Sequence, residues 1–182
     1  MRRRSLSMVT TIAALVWTTT LAAQKTTQVH PGKGGSPHVR SEWTVDGANI
    51  SIEYGRPYLK GRPESKMMPT GKPWRTGADE ATVLTTDRPL KFGTLSLAPG
   101  SYTLNTQPGE PWELIAGKLG KPGQWGVPYN ASLEIGRAPM KVGKTKAEVD
   151  QLTISIDDTA AGGTLRIEWG TTSAIIPFTV GN

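Results

Sequence analysis

Arg56, Lys60, Arg62 and Arg75 fall within one stretch of 27 residues, Tyr54 to Glu80, which reads YGRPYLKGRPESKMMPTGKPWRTGADE. Guanidinium groups pair bidentately with carboxylates and phosphates, so a loop holding several of them can bind an anion. The same stretch ends in Asp79 and Glu80, and Glu53 precedes it. Arg56 and Arg75 could therefore clamp these carboxylates, or the loop's own carbonyls, and serve only structure. Both readings stay open at this point. Trp74, Trp125, Tyr58 and Tyr129 lie in irregular sequence, where an aromatic face can stack on a sugar ring or another apolar group and its edge can hydrogen-bond. The alternative is that they lid a core. His38, just before the first strong strand pattern, could act as acid or base beside arginines and carboxylates near neutral pH. The candidate ligand-binding set is Arg56, Trp74, Arg75, Glu80, His38, Trp125 and Tyr129. No catalytic residue, metal ligand or cofactor is assigned.

Other patterns carry less. Gly143-Lys144-Thr145 resembles the end of a phosphate loop, but Ala138 stands where its first glycine belongs and no helix follows. Gly34-x-Ser36-x-His38 lacks the final glycine and the strand-to-helix setting of a nucleophile elbow. His30 and His38, with no cysteine in the chain, cannot complete a zinc site alone. A mixed site would have to draw on Glu53, Asp79 or Glu80. Asn49-Ile50-Ser51 and Asn130-Ala131-Ser132 fit a glycosylation triplet, which arises often by chance.

The elements that must position these groups read as strands. Val39, Ser41, Trp43 and Val45 alternate with Arg40, Glu42 and Thr44, and Asp46-Gly47 then turns the chain into Ile50, Ile52 and Tyr54. This predicts a tight hairpin, since both turn residues tolerate positive φ. Further strands are expected at 81–86, 90–97, 101–106, 112–116, 140–145, 151–157, 164–169 and 174–180, with a short helical turn near 131–135. Trp43, Trp112 and Trp169 fall within strands and read as core. Short strands separated by turn residues predict an all-β single-domain antiparallel β-sandwich, jelly-roll-like or related. The 54–80 stretch is its one long irregular loop. Connections of more than about 12–15 residues are uncommon in compact domains and are usually functional or disordered. The apolar content here (Tyr58, Leu59, Met67, Met68 and Trp74) argues against disorder.

Residues 1–23 are a different polymer. Arg2, Arg3 and Arg4 precede an uncharged apolar run ending in Ala22-Ala23, the pattern of a secretory signal peptide. The run is short and diluted by threonine, whereas a spanning helix needs about 20 predominantly apolar residues. Cleavage, no lipid anchor and no stable membrane span are expected, which makes the protein periplasmic or secreted. Residues 24–37 (QKTTQVHPGKGGSP) read as a flexible polar linker and 38–182 as the domain. Without the three leader arginines, 18 basic and 15 acidic residues remain, a net charge of +3. That balance, with no basic stripe, gives no reason to expect nucleic acid. A small-molecule or glycan ligand fits better.

Several motifs then come in order: Ser36-Pro37-His38, Tyr54-Gly55-Arg56-Pro57, Lys60-Gly61-Arg62, Trp74-Arg75-Thr76-Gly77-Ala78-Asp79-Glu80-Ala81-Thr82, Leu97-Ala98-Pro99-Gly100-Ser101-Tyr102-Thr103-Leu104 and Gln124-Trp125-Gly126. This series resembles the exported bacterial family known as domain of unknown function 2911, over about residues 36 to 180. The resemblance implies a bacterial, exported, all-β domain and brings no established activity. Between Arg62 and Trp74 the run PESKMMPTGKP departs from the more apolar run of that family. The leading expectation is an exported β-sandwich that binds a ligand at the 54–80 loop. One rival is an enzyme using His38 or Glu80 as acid/base beside the arginines. Another is an envelope interaction domain that docks a partner on an exposed apolar patch including Met67 and Met68.

Overall fold

The computed structural model describes residues 24–182, so the expected signal peptide lies outside the described residues. Ten strands follow in chain order: β1 (Lys25–His30), β2 (His38–Val45), β3 (Ala48–Gly55), β4 (Val83–Thr86), β5 (Leu90–Phe92), β6 (Leu95–Leu97), β7 (Gly100–Gln107), β8 (Trp112–Lys118), β9 (Glu134–Thr159) and β10 (Gly162–Val180). A single helical turn, α1 (Glu64–Met67), and a 3-10 turn at Ala131–Leu133 are the only helical pieces among them. The all-β expectation is met. The strands form one antiparallel sheet in the order β1-β2-β3-β4-β7-β8-β9-β10-β5-β6, not closed into a barrel.

The predicted hairpin is present, with Asp46 and Gly47 both at positive φ and Val45 paired to Ala48. Its alternation sends Val39, Ser41, Trp43 and Val45 inward and Arg40 and Thr44 outward. Residues 140–145 and 151–157 are not two strands but parts of the single long β9. Its first residues pair with β8, and the stretch from Lys141 to Thr159 pairs with β10. Residues 143–148 suggested a loop because the alternation lapses there; the chain instead stays extended, with Gly143 and Lys144 paired to β10, pairing resumed at Val149, and the side chains between mostly exposed. Gly170 likewise marks a bulge inside β10 rather than a break: its φ is +62° and the register shifts on both sides of it.

The sheet curls back on itself. Tyr54 of β3 is four positions from β9 in the strand order, yet its hydroxyl accepts a hydrogen bond from the Ile154 amide at 2.9 Å. Trp74 stacks on Trp169 of β10, with ring centroids 5.7 Å apart. One core results, joining residues of β2 and β3 to residues of β9 and β10; Trp43, Trp112 and Trp169 are buried in it. Among the described residues no helix is long and apolar enough to cross a membrane.

Two expectations need correction. Residues 24–37, read as a flexible linker, contribute β1, which pairs with β2 from Lys25↔Glu42 to His30↔His38. The strand went unread because nearly all its side chains are exposed, leaving no apolar alternation; backbone pairing holds it, with a Thr26–Ser41 hydroxyl bond and the His30–His38 stack. Met68 is buried in the core and Met67 packs against it, so the expected exposed patch around this pair does not form.

The 54–80 stretch is held by backbone bonds rather than loose. Leu59 donates to the Asp150 carbonyl (2.7 Å), Leu152 to the Pro57 carbonyl (3.0 Å), and Trp74 and Thr106 exchange a pair at 2.7 and 2.9 Å. The Glu64 carboxylate, which the sequence reading passed over, accepts from the Thr171 amide (2.7 Å) and the Thr172 hydroxyl (2.6 Å) at the β10 bulge. Burial opposes its charge, but these donors and the Lys144 ammonium outweigh that and hold its carboxyl below the ordinary range. Glu64→Ala should therefore cost about 1–2 kcal/mol of stability at pH 7. A depressed folded pKa means this contribution is complete above the unfolded value of about 4.3 and fades as pH falls through the folded one. Urea unfolding of both proteins at pH 7 and pH 3 should show the two curves drawing together in acid.

Candidate functional site

His38 opens β2 and is buried, 1% exposed. Its Nε2 lies 3.1 Å from the Ala78 carbonyl oxygen and 2.9 Å from Glu80 Oε2. The Ala78 carbonyl can approach this closely because β3 ends in Gly55: a Cβ there would sit 2.4 Å from that oxygen and 2.8 Å from His38 Nε2. This is the physical content of the Tyr54-Gly55-Arg56-Pro57 motif. On the other side, Thr76 and Asp79 both adopt positive φ (54° and 62°), unusual for a β-branched residue, and so bend the backbone to present Ala78 and Glu80. Thr76 is fully buried and its hydroxyl bonds the Trp74 carbonyl and Thr106.

His30, at the end of β1, stacks on His38 with centroids 4.4 Å apart and planes 11° from parallel. Its Nε2 is 3.8 Å from the same Glu80 oxygen. The ligand atoms of His30, His38 and Glu80 lie within 4.8 Å of one another. Of the three carboxylates considered for a mixed histidine site, only Glu80 takes part. Glu53 pairs with Arg40 on the surface, and Asp79 accepts the Lys33 amide at 2.7 Å.

The arginines separate into two kinds. Arg56 is structural: its Nε donates to the Leu152 carbonyl and its Nη2 to Thr153 Oγ1, both at 3.0 Å, tying the end of β3 to β9. Arg62 folds back on its own loop, donating to the Leu59 and Tyr58 carbonyls. Arg75 donates through Nε to the Gly77 carbonyl at 3.0 Å. No carboxylate among the described residues pairs with it. Its guanidinium lies 6.0 Å from the ring centroid of Trp125, and the Lys33 ammonium lies 5.3 Å from the same ring.

Trp125 is 47% exposed and its backbone bridges to Glu80, so the second irregular segment is fastened to the first. Trp74, by contrast, is core, stacked on Trp169, with only one edge at a cleft of about 440 Å³. That cleft is lined by Lys33, Arg62, Trp74, Arg75, Asp79 and Val127, among others. Tyr129 lies away from it. Its hydroxyl donates to Glu134, which Arg137 holds through two nitrogens at 2.7 and 2.9 Å, while Arg137 also reaches Glu113. Burial and then the Glu134 carboxylate push the Tyr129 phenol up to about 12. Tyr129 belongs to this polar network at β8 and β9.

Of the seven expected site residues, His38 and Glu80 touch, and Arg75 and Trp125 join them through adjoining backbone. Arg56 is turned to β9; Trp74 is stacked on Trp169 but also lines the cleft with Arg75, and Tyr129 bonds Glu134 while lining a small pocket with Trp125. Lys33 went unread, and His30 entered only as one of the two histidines of an unassigned mixed site with Glu53, Asp79 or Glu80; the segment that holds both has no periodicity to place it.

The family model described as protein of unknown function (DUF2911) matches residues 36–178. The chain belongs to the DUF2911 family. No curated protein and no solved structure matches it. The DUF2911 match takes in His38, Arg75, Glu80 and Trp125, and begins after His30 and Lys33. The arginine assignment is checked by stability. Arg56→Ala should cost about 1–3 kcal/mol by stranding the Leu152 carbonyl, whereas Arg75→Ala should leave the melting temperature within a few degrees. Differential scanning fluorimetry of the two variants separates them.

Proposed function

We propose that this DUF2911 protein is an exported binding domain that holds a small organic anion, carboxylate- or phosphate-bearing, against Arg75 and Trp125. The observation that carries the reading is Arg75. Its guanidinium lies partly buried at a cleft with no carboxylate partner among the described residues, beside an exposed indole. Lys33 and Arg62 add positive charge to the same cleft and Asp79 is its one acidic side chain. The cleft's volume falls in the range of small-molecule sites, about 300–1,000 Å³. Its walls are rigid because the 54–80 stretch is bonded to β7, β9 and β10. An anionic group in this cleft would face Arg75, and a ligand long enough to reach past its lining to the neighbouring Trp125 indole could stack there; an acidic sugar offers both features. Export is supported by the leader pattern of residues 1–23.

The contact between His38 and Glu80 favours a second reading, acid–base catalysis. His38 itself is buried, so Glu80 would have to be the group that meets a substrate. A screen of organic anions, acidic sugars and peptidoglycan fragments by thermal shift tests the first reading. A hit should raise the melting temperature of the wild type, and Arg75→Ala should weaken its affinity at least tenfold, as one charge-assisted pair is worth about 1.5–3 kcal/mol. Equal affinity in wild type and variant would remove the anion site; turnover of the hit would favour the catalytic reading.

A further inference from the structure

We infer that His30, His38 and Glu80 form a binding site for one divalent transition-metal ion of the Zn²⁺ class, with the Ala78 carbonyl oxygen as a fourth donor. The site uses different atoms from the anion cleft and stands whether or not that cleft is occupied.

Two imidazole nitrogens, a carboxylate oxygen and a carbonyl oxygen converge on one point from three chain segments. Nitrogen and oxygen donors bind Zn²⁺ at about 2.0–2.2 Å, which places tetrahedral ligand atoms about 3.4 Å apart. The observed separations bracket that value: 2.9 Å from His38 Nε2 to Glu80 Oε2, 3.8 Å from His30 Nε2 to the same oxygen, and 3.1 Å from His38 Nε2 to the Ala78 oxygen. All three side-chain donors lie within 4.8 Å. The two rings are stacked with planes 11° from parallel, so the half-exposed His30 ring must turn out of the stack for both lone pairs to meet one ion.

A second observation points the same way. Glu80 Oε2 is buried and makes no hydrogen bond, although His38 Nε2 is only 2.9 Å away. The ring N–H is aligned on the Ala78 carbonyl instead, so the carboxylate oxygen and the nitrogen are in contact without a bond between them. His38 Nδ1 is also buried and unpartnered. Buried polar atoms without partners are rare in folded proteins, and an ion is one of the things that satisfies them. A cation placed between these atoms gives Glu80 Oε2 the opposite charge it lacks.

The donor set selects the metal class. Imidazole and carboxylate suit Zn²⁺, Co²⁺, Fe²⁺ and Mn²⁺; one carboxylate and one carbonyl are too few oxygens for a Ca²⁺ cage. The site opens to solvent through His30 and Glu80, whose side chains are 40% and 27% exposed, so water can take a further coordination position. Loading requires a change at each histidine. His38 Nε2 now carries the proton that faces the Ala78 carbonyl and must lose it to ligate, which leaves the ring proton on the unpartnered Nδ1. His30 Nδ1 now accepts from the Gly32 amide at 3.1 Å, but a neutral imidazole that ligates through Nε2 carries its proton on Nδ1. The His30 ring must therefore release the Gly32 amide, and the ring is the part with room to move: its side chain is 40% exposed, whereas a Cβ on Gly32 would meet the Ser36 carbonyl oxygen at 1.8 Å.

The test is calorimetric titration of the EDTA-treated protein with Zn²⁺ at neutral pH, with His30→Ala, Glu80→Gln and, as control, the surface carboxylate variant Glu53→Gln. The wild type and control should take up one equivalent per chain, and the other two variants should bind at least tenfold more weakly while keeping the native circular dichroism spectrum. Absence of saturable binding, or a loss smaller than tenfold in either ligand variant, overturns the site and leaves a proton-sharing contact. Should a variant unfold, wild-type protein loaded with Co²⁺ decides. Visible bands of four- or five-coordinate Co²⁺ support the site; the weak spectrum of the hydrated ion overturns it.

Discussion

Every polar backbone group of the segment between β3 and β4 must find a partner once that segment is packed on the sheet, because strands cannot satisfy it and water is excluded from much of it. This requirement organises the end of the molecule that holds the candidate site. The free edge of β9 near Asp150 and Leu152 takes the first part through Leu59 and Pro57, and β7 takes the later part through Trp74 and Thr82. Arg56 and Glu64 add side-chain bonds to β9 and β10. With both flanks fixed, the turn between Thr76 and Glu80 has little freedom, and its positive-φ residues press the Ala78 carbonyl and the Glu80 carboxylate onto His38.

The consequence is a division of labour among residues of one chemical type. Arg56 and Arg75 belong to the same stretch and look equivalent in composition. One ends in bonds to β9 and the other keeps guanidinium nitrogens free beside Trp125. Trp74 and Trp125 divide in the same way, the first stacked into the core and the second on the surface. The carboxylates Glu53, Asp79 and Glu80 take three roles: a surface ion pair, a cap for the Lys33 amide, and a contact with two imidazoles. Anchors and candidate binding groups alternate along the chain, which is how a flexible composition yields a rigid site.

Much of this fold was legible. The hairpin of β2 and β3 follows from strict alternation around Asp46-Gly47, and the strand tryptophans went where an apolar face must go. The long strands β9 and β10 were harder, since exposed polar residues and a bulged glycine interrupt their pattern and shift their register without ending either strand. β1 carried no apolar signal at all, because an edge strand with both faces wet is held by its neighbour's backbone. For the same reason His30 could not be placed beside His38 in advance: their pairing is a matter of register between two strands, and β1 offers no buried face to reveal register.

The amino-acid sequence determined the all-β class and the family, because alternation, turn residues and motif order are local properties. It also named His38, Glu80, Arg75 and Trp125. Only the tertiary structure decided which arginine is an anchor, which tryptophan is core, and that His30 completes a cluster with His38 and Glu80. Those outcomes depend on atoms brought together from strands and turns distant in the chain, where a spacing in sequence carries no information about distance in space.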